Sequence, residues 1–351
     1  MPEITIKDIA KRCGVGVSTV SRAINNHPDI NQETKNMIME VIHEMGFVPN
    51  NSARNLKRTD ARCIAVLVKG IANPLFNDMI QVIEEETQKK KYSLVLKHVE
   101  YNEDEVDVAL ELVKEKRLRG IIFLGGYFFH SQEKISNLTV PYIFSTIGSA
   151  TPENMNRALY SSVSVDDKKE SYIMTSYLLD LGHRDIAILS AESEINSIGQ
   201  LRLEGYKEAL ADKGVPFRKE LVRCVKEDMV HYSMENGYIT TKELVGSGEK
   251  FTAVYATADS LAVGACSALI EAGFRIPEDV SVTGYDGIDV GKYYNPAITT
   301  IKQPVKEIAE KTIRLLFDII AGRKKCEHIL LPGELVVRAS SGPVGRLAKE
   351  A

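Results

Sequence analysis

The stretch from Thr5 to Asn25 limits what this chain can be more than any other. It reads Thr-Ile-Lys-Asp-Ile-Ala-Lys-Arg-Cys-Gly-Val-Gly-Val-Ser-Thr-Val-Ser-Arg-Ala-Ile-Asn. Ile6, Ile9, Ala10 and Cys13 recur at helical spacing and give a first short helix its apolar stripe. Thr5 is a natural N-cap, with Asp8 three residues on as a variant of the capping box. Gly14 can end the helix with a left-handed residue, and Val15 offers a plug for the turn. A second helix is predicted from about Val17 to Ile24, with Val20, Ala23 and Ile24 inward. Its outward face carries Val17, Ser18, Thr19, Ser21, Arg22 and Asn25. Two short helices across a glycine turn form a helix-turn-helix, whose second member reads bases in the major groove. Small hydroxyl residues let the helix backbone come close to DNA and bond phosphate oxygens. Arg22 is the one fork able to grip a guanine edge, and Val17 can touch a thymine methyl. These residues alone leave a plainer alternative open, two short helices around a glycine with no DNA role.

The next residues sharpen the choice. Asn31 caps a third helix, about Gln32 to Met45, with Ile38, Val41, Ile42 and Met45 inward and Gly46 as its stop. Phe47-Val48-Pro49-Asn50-Asn51-Ser52-Ala53-Arg54-Asn55-Leu56-Lys57-Arg58 follows. From Thr5 to Arg58 the chain resembles the lac repressor family of bacterial transcriptional regulators. Ala10, Gly14-Val15, Thr19-Val20-Ser21-Arg22, Asn25, Pro49-Asn50, Ala53-Arg54 and Leu56 stand at that family's motif spacings. The resemblance implies a DNA-contacting set of Thr5, Val17, Ser18, Thr19, Ser21, Arg22, Asn25, Asn50, Ala53, Arg54, Leu56 and Lys57. It also implies a hinge helix after Pro49 that folds on the operator, with Leu56 wedged into the minor groove and Lys57 beside it. Such an apolar wedge kinks a duplex at an unstacking cost of roughly a few kcal/mol. One departure is Gly16, where the family usually has a helix-capping serine; glycine still caps acceptably, but one hydroxyl contact is missing.

Bulk charge does not advertise a nucleic-acid binder. The whole chain has 44 basic against 48 acidic residues, a net charge of −4, and residues 1–60 hold eight basic against seven acidic. The DNA argument rests instead on where Arg22, Arg54, Lys57 and Arg58 stand, and a modest salt dependence per subunit is expected.

Beyond Ala61, strands and helices alternate to the end, the pattern of parallel sheets with helices on both faces. Strands are expected at about 63–68, 92–97, 120–124, 142–145, 162–165, 185–189, 221–225, 253–256, 281–284 and 299–301, with short ones at 328–331 and 334–337. At 351 residues the chain has room for two or three compact units. The fold class that follows is an all-α helix-turn-helix headpiece plus an α/β effector domain of two doubly wound parallel sheets. The resemblance extends through this region, and implies the two-lobed periplasmic-binding-protein-like fold. The expected limits are 1–48 for the headpiece, 49–60 for the hinge, 61–341 for the effector and dimerisation domain, and 342–351 for a tail. Within the effector domain, the first lobe is expected at about 61–162 and 293–323 and the second at about 163–292 and 324–341. Crossings between them are placed near 161–163, 290–295 and 322–327. The tail has no leucine heptads, so no tetramerisation helix is expected.

A cleft between two such halves is where a ligand would bind, at the carboxyl ends of the strands. Four motifs resemble the family's effector site: Asn73-Pro74-Leu75-Phe76, Arg202-Leu-Glu-Gly205-Tyr206, Thr257-Ala258-Asp259 running on to Gly264, and Gly284-Tyr285-Asp286. The ligand residues so implied are Asn73, Phe76, Arg202, Asp259 and Asp286, joined by Tyr127 after Gly125-Gly126 and by Asn196 in the loop before Arg202. An arginine fork and carboxylates walled by aromatics suit vicinal hydroxyls. A plainer role stays open for each main residue: Arg202 as an exposed helix arginine, Asp259 as a helix cap, Asp286 as a turn former, Phe76 as core. Ala258 stands where the family often has asparagine, so one polar contact is lost or moved.

Other classes fit worse. The sequence has no Gly-x-Gly-x-x-Gly, no phosphate loop and no Gly-x-Ser-x-Gly elbow. Its seven histidines include no i, i+4 pair, so no metal, cofactor or enzymatic activity is expected. The five cysteines are scattered and read as small buried hydrophobes of a reducing compartment. No signal peptide precedes the first helix and no apolar run reaches membrane-spanning length, which points to the cytoplasm. A solute-binding protein of the same two-lobed fold, without regulatory DNA binding, is the alternative; it leaves residues 1–58 unexplained. The expected partners are palindromic operator DNA, a small effector (a sugar or sugar derivative ahead of a nucleobase), and a second copy of the chain, because one recognition helix reads one half-site.

Overall fold

The computed structural model describes residues 4–24, 27–47, 62–126, 130–147, 156–190, 197–226 and 229–345. The chain divides into two compact units, residues 1–61 and 62–351.

The described residues of the first unit form three helices, α1 (Ile6–Cys13), α2 (Val17–Ile24) and α3 (Gln32–Glu44). Thr5 donates to Asp8 Oδ2 from both its backbone N–H (2.8 Å) and its hydroxyl (2.6 Å), which fixes the start of α1. Gly14 takes φ +65°, and the Val15 N–H returns to the Ala10 carbonyl at 3.0 Å, a close of the type glycine permits. The Asn31 side chain accepts from the Glu33 N–H at 2.8 Å and starts α3. The three helices bury Ile9, Ala10, Val20, Ala23, Ile38 and Ile42 together, the residues that their periodicities turn inward.

The second unit is built on two six-stranded sheets. In chain order its elements are β1 (Cys63–Lys69), α4 (Leu75–Lys89), β2 (Ser93–Val99), α5 (Glu105–Glu115), β3 (Gly120–Leu124), α6 (Gln132–Ile135), β4 (Tyr142–Ser145), β5 (Ser161–Val165), α7 (Asp167–Asp180), β6 (Ile186–Ser190) and α8 (Ile198–Asp212). There follow β7 (Val222–Cys224), α9 (Met234–Gly246), β8 (Ala253–Ala256), α10 (Asp259–Glu271), β9 (Ser281–Asp286), α11 (Asp289–Tyr293), β10 (Thr299–Lys302), α12 (Val305–Ile320), β11 (His328–Leu331) and β12 (Glu334–Val336). The strand orders are β11-β5-β4-β3-β1-β2 and β12-β10-β9-β8-β6-β7. All pairings are parallel except that of the edge strand β12 with β10.

The apolar runs of the strands have a direct cause. In β1, Ile64, Val66 and Val68 enter one hydrophobic cluster and Ala65 and Leu67 another, so both faces of the sheet are covered. In β6, Ile186 and Ile188 divide in the same way from Ala187 and Leu189. Each large side chain so buried contributes roughly 1.5–3 kcal/mol, which is why a strand covered on both sides has no polar alternation.

The exchange points between the lobes differ from the expected ones. β10 lies beside β9 in the second sheet, whereas the sequence places residues 293–323 in the first lobe. β11 lies beside β5 in the first sheet, whereas the sequence places 324–341 in the second. α12 does belong with the first lobe: it packs on α4 and on β3 to β5, and its Thr312 bonds Ser145 of β4, 2.9 Å between hydroxyls. The chain therefore crosses at Asp166, at Gln303–Pro304 and at Pro332–Gly333. A four-residue strand has the same signature in either sheet; a partner strand distant in sequence decides which it joins. The cysteines also depart from expectation, since Cys266 is buried whereas Cys224 and Cys326 are exposed.

Candidate functional site

Two surfaces carry the candidate residues, one on each unit. On α2, Val17, Ser18 and Arg22 are exposed, and Thr19 and Ser21 half-buried, while Val20 and Ala23 face the core. The helix thus presents short side chains around one guanidinium. Thr5 is exposed but its hydroxyl is engaged by Asp8, and the two bonds from Thr5 hold the Asp8 carboxyl below its usual pKa. Asn25, Asn50, Ala53, Arg54, Leu56 and Lys57 lie outside the described residues, as do Tyr127 and Asn196 of the ligand set.

In the second unit, Asn73, Phe76, Arg202 and Asp286 come together on a cavity between the lobes. Asn73 closes the turn after β1, its Oδ1 accepting from the Leu75 N–H (3.0 Å) at the start of α4. Its Nδ2 donates across the cleft to Asp286 Oδ2 at 2.9 Å. Gln303 Nε2 donates to the other Asp286 oxygen at 2.8 Å. Asp286 ends β9 at φ +107°, a conformation that L residues adopt only when the surroundings hold them there. Phe76, 7% exposed, is both wall and core.

Arg202 is not a surface arginine. It is 5% exposed and lies on α8 where that helix packs against α7. The motif explains how: a Cβ on Gly205 would stand 2.0 Å from the Lys168 carbonyl, so glycine lets α8 lie directly on α7. Ser171 of α7 then donates to the Arg202 carbonyl at 2.5 Å. The guanidinium is brought to Asp167 at the start of α7, with Nε and one terminal nitrogen 3.0 and 2.9 Å from Oδ1. It lies 3.7 Å over the Tyr285 ring, and a terminal nitrogen is 4.0 Å from Asp286 Oδ1. Burial opposes the charge on Arg202, but Asp167, Tyr285 and Asp286 outweigh it and hold its pKa above the ordinary value. Burial also pushes the Asp167 carboxyl up, to about 6 despite the arginine, and raises Asp286 against the pull of Arg202, Asn73 and Gln303.

Asp259 stands apart from these. It is the first residue of α10, fully buried, and does not line the cavity. Its Oδ2 accepts from the Gly287 and Ile288 N–H groups, both at 2.8 Å, and so shapes the loop after Asp286. Burial and the neighbouring Asp286 push its pKa up to about 8. Its place is that of a residue positioning Asp286 from behind.

The cavity also holds residues that the motifs did not single out, among them Lys69, Tyr101, Thr146, Tyr232 and Gln303. Tyr101 of the first lobe lies against His231 of the second, ring centroids 3.7 Å apart. The sequence signals are slight: Lys69 ends an otherwise apolar strand, and Gln303 stands between β10 and Pro304. Among the described residues there is no group of three His, Cys, Asp or Glu side chains able to hold a metal ion, and no helix long and apolar enough to cross a membrane.

An exposed recognition helix and a two-lobed ligand-binding unit on one chain define a class, the effector-controlled transcriptional regulators. Comparison with known proteins makes the assignment narrower. Residues 5–50 match the lacI family of bacterial regulatory proteins, and residues 175–341 match the periplasmic binding protein-like domain. The transcriptional regulator MalR of Clostridium butyricum is 38% identical over 341 residues, covering 96% of this chain and 99% of that protein. The lac repressor dimer bound to operator and the anti-inducer ONPF superposes with TM-score 0.76 at 26% identity, covering 97% and 99% of the two chains. A LacI family regulator from Enterococcus faecium with bound ribose superposes with TM-score 0.68 at 30% identity, covering 80% and 99%. The chain belongs to the lacI family of transcriptional regulators.

Proposed function

We propose that this protein is a homodimeric repressor that binds a palindromic operator through α2 and the segment after Pro49, with affinity set by a sugar or sugar derivative in the cavity between the lobes. The observation that carries this reading is the joint placement of Asn73, Arg202 and Asp286 around one cavity. Two lobes contribute to it, so a ligand that bonds both changes the energy of their closure. A ligand shifts such an equilibrium by its differential affinity for the two states, typically about 1–3 kcal/mol of coupling. The solved relatives, one bound to operator and an anti-inducer and one with ribose, support the same reading. Base preference rests on Arg22 and Val17; Arg54 and Lys57 supply phosphate contacts, and Leu56 is the minor-groove wedge. The action is binding in the cytoplasm, not catalysis, and needs no cofactor.

The test is a selection of palindromic duplexes from a random library with the full-length protein, repeated with sugars and purine bases. The reading expects one palindrome to be enriched and one ligand to change its affinity by roughly 5–150-fold. Failure to enrich any palindrome, or chemical turnover of a ligand in the cavity, would refute it.

A further inference from the structure

Lys69 ends β1 on the cavity wall and is 5% exposed. Its Nζ donates to the Glu103 carbonyl at 2.7 Å and to Glu105 Oε2 at 3.1 Å. The other Glu105 oxygen lies 3.4 Å from His130 Nε2, and all three side chains are buried. The loop after β3 is shaped around this carboxylate: Gly126, at φ +106°, passes so close that a Cβ would stand 2.5 Å from Glu105 Oε1. Apolar residues of similar volume are often at least as stabilising as a buried ion pair, so such a pair points to a role beyond stability. Thr146 lines the same cavity from the end of β4. Its φ is +67°, and its buried hydroxyl has no hydrogen-bond partner among the described residues. An incoming hydroxyl would satisfy it.

The charges around the cavity show what kind of ligand fits. Two cations of the described residues reach it, and each already has its carboxylate: Lys69 has Glu105, and Arg202 has Asp167. A third carboxylate, Asp286, lines the wall and is held chiefly by the amides of Asn73 and Gln303. At each helix start by the cavity one N–H is already taken, that of Leu75 by Asn73 Oδ1 and that of Gln200 by Ser197 Oγ. A phosphate or carboxylate would leave water to sit beside Asp286 with no unmatched positive charge to receive it. A hydroxyl can both donate to Asp286 and accept from Lys69 or Arg202.

We propose that Lys69, held by Glu105 with His130 behind it, is a specificity-determining residue that donates to a ligand hydroxyl from the first lobe. The ligand it selects is an uncharged polyhydroxylated molecule, not its phosphorylated or carboxylated counterpart. This rests on the reading of the cavity as the effector site.

The experiment titrates matched probes into the full-length protein by calorimetry: ribose and ribose 5-phosphate; glucose, glucose 6-phosphate and glucuronate; cellobiose and its 6-phosphate. An uncharged member binds, and its charged counterpart binds at least roughly tenfold more weakly. Lys69→Met lowers affinity for the bound sugar by roughly 10–100-fold, the range for a lost charged hydrogen bond. Because that change strands Glu105, the double variant Lys69→Met with Glu105→Met removes both charges. It regains the thermal stability lost in the single variant yet stays as weak toward the sugar. Wild-type affinity in the double variant would reduce Lys69 to a structural role and overturn the proposal. Tighter binding of a charged counterpart overturns it too, while leaving a sugar-controlled regulator intact. Silence across the whole panel, with a purine base altering operator affinity instead, removes the sugar reading and this proposal together.

Discussion

Arg22 and Arg202 both carry part of the proposed function, and the two units use them in opposite ways. Arg22 is exposed on α2, within a unit whose described residues bury six apolar side chains together. Arg202 is 5% exposed, tied to Asp167 and laid over Tyr285 inside a far larger core. The first, an exposed side chain, should be lost with little effect on the fold. The second is part of the fold and of the proposed binding site at once. The proposed DNA-reading residue is therefore separable from stability here, and the proposed ligand-reading residue is not.

The contrast is easiest to break at its strongest point. Arg202→Met leaves the buried Asp167 carboxylate without its partner and is expected to cost about 3–5 kcal/mol of unfolding free energy. Adding Asp167→Asn should return a good part of that; urea unfolding of the two variants checks it. Nearly as large is Ile9→Ala, which removes a fully buried side chain at a cost of about 2–5 kcal/mol. In a core of six residues that is enough to unfold the headpiece. Operator binding should vanish while calorimetry shows the second unit melting unchanged.

Arg22→Ala should leave both melting transitions in place, a surface change worth within about 0.5 kcal/mol. It should cost roughly 1–3 kcal/mol of base discrimination, read by comparing specific with non-specific duplexes. Equal loss on every sequence would show that Arg22 only holds phosphate.

The mildest test concerns pH. Asp259 has its pKa raised to about 8 in the folded chain, above its unfolded value, so the folded state holds a proton that the unfolded state has released. Its contribution to stability is complete below about pH 4 and is lost as pH rises toward 8. Asp259→Asn keeps an acceptor for the Gly287 and Ile288 amides and should flatten the decline in melting temperature between pH 5 and 9. An unchanged slope would show that some other group carries it.

Most of the secondary structure was legible from periodicity, because strands covered on both faces read as unbroken apolar runs and the helices carry their caps. The assignment of Thr299–Lys302 and His328–Leu331 to lobes was not, since their partners, β9 and β5, are chosen by contacts that the local sequence does not record. In the cavity, Asn73, Phe76, Arg202 and Asp286 were found through motifs. Asp259 shared a motif but turns away to hold a loop, a difference of side-chain direction that spacing cannot show. Lys69, Glu105 and His130 belong to no motif; three separate segments bring them together, and burial alone makes them stand out.

The chain's three passages between the sheets have a consequence for how such a protein can be recombined. A cut at Asp166 would deprive the first sheet of β11 and of the helix α12 that covers it, and a cut at Gln303–Pro304 would separate β12 from its sheet. Neither lobe can therefore be inherited, swapped or expressed as one contiguous gene fragment. The border at residues 61 and 62 has no such entanglement, so hybrid regulators that exchange operator choice while keeping their metabolite should be joined there.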